Sequence, residues 1–80
     1  MDNIEFLKVI LENLLQKKEE IKIKKSEDEF GILLEIEVDK SDMPVLIGKK
    51  GNTINSIRNI MRVAGGVKNE RVNIKIIENN

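Results

Sequence analysis

VLIGKKGNTI, residues 45–54, is the stretch whose reading decides the fold. Two glycines, Gly48 and Gly51, bracket Lys49 and Lys50, and apolar residues crowd in on both sides. Glycine reaches backbone conformations that other residues adopt only with strain, and it lets a ligand approach the main chain. The apolar run before Gly48 predicts a short helix that must stop there. After Gly51, Ile54, Ile57, Met61 and Ala64 recur at helical spacing, with Ile60 beside them, and predict a second helix. The first amides of that helix carry partial positive charge. Two helices would thus meet at a tight, positively charged turn, an arrangement suited to a phosphate. A dinucleotide fingerprint needs another glycine and a preceding strand. A P-loop needs Gly-Lys-Ser/Thr after a strand. Neither pattern fits.

Outward from the turn, the remaining elements follow from periodicity. Asp2 with Glu5 forms a capping pattern ahead of Ile4, Leu7, Ile10, Leu11, Leu14 and Leu15. It predicts a helix over about 3–18, with Lys17 and Lys18 at its negative end. IKIK (21–24) and FGILLEIEVD (30–39) alternate with period two and predict two strands, and polar SEDEFG (26–31) suits a hairpin connection. Ser41 or Asp42 can cap the short helix before Gly48, with Pro44 tolerated in its first turn. Gly65-Gly66 is placed to end the later helix. RVNIKI (71–76) predicts a last strand with Val72, Ile74 and Ile76 facing in.

The order is therefore α-β-β-α-α-β, an α+β fold. Outward charges fix the strand order. Lys22 and Lys24 lie on the first strand, Glu35 and Glu37 on the second, and Lys75 on the third. Opposite charges across strands are favourable, so the acidic strand belongs in the middle. The first pair is antiparallel and the third strand, reached by a crossover, is parallel to the second. The sheet is thus three-stranded and mixed, with all three helices on its apolar face.

Composition narrows the function. Eighty residues make a single domain, 1–80, with a small core. Histidine and cysteine are both absent, which removes the commonest general base, the thiolate nucleophile and the commonest metal ligands. With no converging polar cluster, we expect no enzyme, no metal and no cofactor. No segment reaches the roughly 20 apolar residues of a membrane span, and the acidic, amphipathic start is unlike a signal peptide. The expectation is a cytoplasmic protein without a membrane partner. Net charge is zero but uneven: residues 1–42 carry seven Lys against twelve Asp or Glu, whereas 43–76 carry seven Lys or Arg against one Glu. A neutral protein with a basic half around the glycine turn permits a focused anion site.

With those residues in view, VLIGKKGNTINSI resembles the signature of KH RNA-binding domains: an apolar run, Gly-x-x-Gly, then isoleucine three and six residues on. The element order resembles the bacterial, type II form of that fold over nearly the whole chain. The size is similar to that of the small bacterial single-KH proteins of the KhpA group. Asn52 departs from the many members that carry a basic residue after the second glycine. The resemblance implies that Gly48, Lys49, Lys50 and Gly51 clamp the backbone of about four nucleotides of single-stranded RNA. The bases would lie in an apolar groove, with Val45, Ile47, Ile54 and Ile57 as lining candidates that also serve the core. Arg58 is a further RNA-binding candidate. The resemblance also implies a partner, either a second copy or a larger KH-containing RNA-binding protein. Roles in RNA chaperoning and post-transcriptional control, linked to cell envelope and cell shape, come with it.

Plainer readings stand beside these. Arg58 and Arg62 fit a solvated helix face as well as a phosphate contact. Glu35, Glu37 and Asp39 read as a solvated sheet face rather than a metal or acid–base cluster. A protein-interaction module that keeps the fold without RNA is the alternative function. The aromatic residues are Phe6 and Phe30, both distant in sequence from the turn, so base stacking on an aromatic platform is not expected.

Overall fold

The computed structural model describes residues 1–78. Helix α1 spans Asn3–Leu14, and the Glu5 amide donates to Asp2 Oδ1 at 2.8 Å, as the capping pattern requires. The helix stops at Leu14 rather than near residue 18. Leu15 is extended, and the amides of Gln16 and Lys17 donate instead to the Asp42 carboxylate at 3.2 and 3.0 Å. Charge-assisted bonds to a buried carboxylate outweigh two or three further residues of exposed helix. Asp42 is only 3% exposed and its side chain caps no helix. The cap falls to Asp39, which accepts from the Ser41 amide at 2.9 Å and the Ser41 hydroxyl at 2.6 Å ahead of a 3₁₀ turn at Lys40–Asp42. Those two bonds, with Lys17 nearby, hold the Asp39 carboxyl below its ordinary range.

Strands β1 (Lys22–Asp28) and β2 (Gly31–Glu37) form a tight hairpin whose only unpaired residues are Glu29 and Phe30. The expected polar connection at 26–31 is mostly strand. Ser26, Glu27 and Asp28 pair with Leu33, Ile32 and Gly31, because an edge strand satisfies its backbone whether or not its side chains are apolar. The Phe30 amide donates to Asp28 Oδ1 at 2.8 Å and tightens the turn.

Strand β3 (Val72–Ile76) runs parallel to β2, and the sheet order is β1-β2-β3. The charge argument is met in register: Lys22 faces Glu37, and Glu35 lies between Lys24 and Lys75. Lys22 Nζ approaches Glu37 at 3.7 Å. The opposite face carries the core. Ile32, Leu34 and Ile36 of β2, followed by Val38, are at most 2% exposed. They pack with Leu7, Leu11 and Leu15 from α1, Leu46 from the short helix α2 (Met43–Ile47), and Ile54, Ile57 and Met61 from α3 (Asn52–Val67).

Helix α3 runs through Gly65 and Gly66 rather than ending there. Gly65 is buried, and a Cβ on it would sit 2.7 Å from the Glu70 carbonyl and 2.8 Å from Val72 Cγ2. Its role is close approach of helix to strand, not termination. The chain reverses later, at Asn69 with φ 59°, and the Glu70 amide returns to the Gly65 carbonyl at 2.7 Å.

Two outcomes follow for stability. Glu35→Lys places like charges between Lys24 and Lys75 and should cost ~0.5–1 kcal/mol at low salt, read as a fall in melting temperature that added salt reduces. Gly65→Ala should cost ~1–3 kcal/mol by overpacking, measured by urea denaturation.

Candidate nucleic-acid interface

Pro44 lies in the first turn of α2, and the Gly48 amide closes the helix by donating to the Pro44 carbonyl at 2.9 Å. Gly48 then turns to φ 77°, ψ 173°. Any Cβ there would lie 2.2 Å from Thr53 Oγ1 and 2.7 Å from the Thr53 amide nitrogen, so both conformation and space demand glycine. A single 3₁₀ turn, Lys49–Gly51, carries the chain to α3. The Gly51 amide donates to the Gly48 carbonyl at 3.2 Å. Lys50 (φ 56°) and Gly51 (φ 77°) are both left-handed. Left-handed backbone costs a residue with a Cβ roughly 1–2 kcal/mol, so Lys50 is held there against its preference.

No side chain caps the start of α3. Lys49 and Lys50 are exposed, and neither forms an ion pair among the described residues. Two free ammonium groups thus stand on a turn beside a helix N-terminus, where turn amides and the helix dipole both favour an anion.

The four apolar lining candidates divide. Val45 and Ile47 are exposed, at 49% and 36%. Ile54 and Ile57 are buried in the core. Ile54, expected in the groove, therefore supports the loop from beneath and offers no open surface. The cause is helical geometry: residues 54, 57 and 61 share the stripe that faces the sheet.

Arg58 is not a free solvated side chain. Its Nε donates to the Ile74 carbonyl at 3.4 Å and its Nη1 to Asn55 Oδ1 at 3.2 Å. The position of that carbonyl follows from the ladder. Ile32 N–H donates to the Arg71 carbonyl and Ile77 N–H to the Ile36 carbonyl, so odd-numbered residues near β3 bond to β2. The backbone groups of Val72, Ile74 and Ile76 consequently face the free edge. Arg58 spans the gap between α3 and that edge and covers one acceptor on it. Thr53, the wall against Gly48, and Asn55, the holder of Arg58, were not singled out from sequence. The three-residue spacing of Asn55 and Arg58 on one helix face was the available signal for the second.

Away from this side, Val9, Ile10 and Leu14 of α1 and Ile60 of α3 line an open apolar cleft of about 570 Å³. Among the described residues no group of His, Cys, Asp or Glu could hold a metal, and Glu35, Glu37 and Asp39 do not converge. No described helix is long and apolar enough to cross a membrane.

A Gly-x-x-Gly turn joining two helices that pack, with a third, on one face of a three-stranded mixed sheet, in the order α-β-β-α-α-β, defines a type II KH domain. Comparison with known proteins agrees. The sequence model described as "KhpA/KhpB, KH domain" matches residues 4–76. The chain is 38% identical over 74 residues to the RNA-binding protein KhpA of Chlamydia pneumoniae, covering 92% of this chain and 95% of that one. It is 30% identical over 77 residues to the RNA-binding protein KhpA of Borreliella burgdorferi, covering 96% and 94%. The protein of the same name in Clostridium perfringens is 32% identical over 73 residues, covering 91% and 97%. This chain belongs to the KhpA/KhpB family of KH domains.

The loop glycines should differ in tolerance. Gly48→Ala should destabilise by ~2–3 kcal/mol, since it meets Thr53 as well as an unfavourable φ. Gly51→Ala, whose nearest obstacle is Asn55 Nδ2 at 3.7 Å, should cost only the left-handed backbone term, ~1 kcal/mol. Paired urea titrations measure both.

Proposed function

We propose that this protein binds single-stranded RNA, with Gly48–Gly51 as a phosphate clamp. The observation that carries the proposal is the pair of unpaired lysines on a turn whose geometry admits only glycine at its first position. Lys49 and Lys50 supply full charges, and the loop and helix amides supply partial ones. The phosphate backbone of about four nucleotides lies along the turn. The bases then rest on exposed Ile47 and Val45, with the Arg58 guanidinium as a flat polar partner. Edge-facing backbone groups of β3 are available to base edges.

Affinity in this reading is modest. Phe30 lies at the β1–β2 turn and Phe6 on α1, so no aromatic platform adjoins the loop. Aliphatic contact and a few hydrogen bonds predict micromolar binding, about −8 kcal/mol. A second KH domain, another copy or a larger KH-containing partner, raises the effective affinity by engaging the same RNA. The apolar cleft between α1 and α3 is the better surface for such pairing. The free edge of β3 is the poorer one, because Arg58 already occupies the Ile74 carbonyl. In keeping with the resemblance, the protein would act in the cytoplasm as an RNA chaperone or post-transcriptional regulator. A protein-interaction role without RNA draws on that same cleft and has no use for the two lysines.

The test is a titration with an unstructured pentanucleotide. Lys49→Asp with Lys50→Asp should weaken binding by more than roughly tenfold and leave the melting temperature unchanged, because both side chains are exposed. Four contacted phosphates should give wild type a log–log salt slope of about −2 to −3. Undiminished binding by the double variant would remove the clamp assignment.

A further inference from the structure

Between the C-terminal half of α3 and the start of β3 lies an open cleft of about 590 Å³, lined by Arg62, Gly66, Asn69, Arg71 and Asn73 among others. It lies on the same side of α3 as Arg58. Arg58 reaches the Ile74 carbonyl, and one turn on, Arg62 borders a cleft shared with Val72, the next edge-facing residue. Arg62 is eleven residues beyond Gly51, so about 16 Å of helix separates it from the loop. Loop, Arg58 and cleft therefore succeed one another along a single path.

The chemistry of the cleft is that of a nucleotide site. Arg62 and Arg71 are exposed, and their two guanidiniums outweigh the one carboxylate present, Glu70. That carboxylate is engaged, accepting from Asn3 Nδ2 at 3.2 Å. Guanidinium planes both pair with phosphate and stack on bases, which matters in a chain without a stacking aromatic near its loop. Asn69 and Asn73 add amides able to donate and accept at a base edge.

Gly66 supplies an independent reason. A helical glycine costs about 1 kcal/mol relative to alanine. A Cβ on Gly66 would meet nothing within 4 Å, and its φ is not positive. Neither packing nor backbone conformation requires glycine there, in contrast to Gly65. Its missing side chain keeps the cleft open.

We propose that this cleft is a second RNA subsite, in which Arg62 and Arg71 hold a phosphate and stack a base farther along the strand than the loop clamp. The inference rests on the RNA-binding reading above. It is tested by titrating unstructured RNAs of four to ten nucleotides against wild type, Arg62→Gln with Arg71→Gln, Gly66→Leu and the Lys49→Asp, Lys50→Asp variant. Wild-type affinity should rise with length beyond four nucleotides. The arginine pair should bind the tetranucleotide as wild type does, lose roughly tenfold on the decanucleotide, and show a salt slope shallower by about 0.7 there, for the one phosphate lost. Gly66→Leu should lose the same length-dependent gain without a fall in melting temperature, since it blocks the cleft and removes no charge. Unchanged decanucleotide binding by both cleft variants, with the loop variant impaired, overturns the subsite alone. Equal loss on both lengths also overturns it, by making the arginines part of the clamp. Full binding by the loop variant overturns the clamp assignment, and failure of the wild type to bind RNA of any length overturns the underlying RNA reading instead.

Discussion

An eighty-residue chain has apolar material for one covered sheet face and no more, and the rest of the architecture is bound by that limit. Ile32, Leu34, Ile36 and Val38 all point one way, so α1, α2 and α3 must share that side. The other side is left to lysines and glutamates paired across strands. With three helices over a three-stranded sheet, α3 lies against β3, whose outer backbone groups have no strand to pair with. The interface proposed above would occupy that margin, with Arg58 bridging α3 and the Ile74 carbonyl on the free edge.

The junction itself works by exclusion of atoms. Gly48 lacks the Cβ that would collide with Thr53, which lets α2 end and α3 begin within one turn. Lys50 then accepts a left-handed backbone that costs stability. A helix–helix connection chosen for stability alone would place glycine or asparagine at that position. Retaining a lysine there keeps its charge at the tip of the turn, which is intelligible if the tip meets an anion. The buried Asp42 serves the same junction from behind. Its carboxylate takes the Gln16 and Lys17 amides and so ties the end of α1 to the start of α2. The cost of burying a charge is offset by two hydrogen bonds to backbone donors that would otherwise need partners.

Adjacent glycines near the end of α3 show how one residue type answers two demands. Gly65 is fixed by a strand and a carbonyl within 3 Å of its missing Cβ, and Gly66 faces open space. In sequence they read together as a helix stop, and the helix passes through both.

Element types, their order, the strand order and the glycine turn between two helices were all determined by sequence alone. Each rests on a local pattern: period-two and helical repeats, glycines around a lysine pair, and charges that oppose one another across neighbouring strands. Those patterns act over a few residues or through one simple pairing rule, so the linear chain exposes them. Only the tertiary structure decided the boundaries and the roles of individual side chains. The end of α1 is set by Asp42, twenty-six residues on from Gln16. The length of β1 is set by the ladder β2 offers it, and the demand for Gly65 by Val72. Ile54 and Ile47 look alike in sequence, and their division between core and surface depends on which stripe of each helix meets the sheet. Arg58 became legible only once β3 had brought the Ile74 carbonyl to its guanidinium. Contacts between residues distant in the chain carry no local signature, because they depend on where folding brings the far partner rather than on the neighbours of the near one.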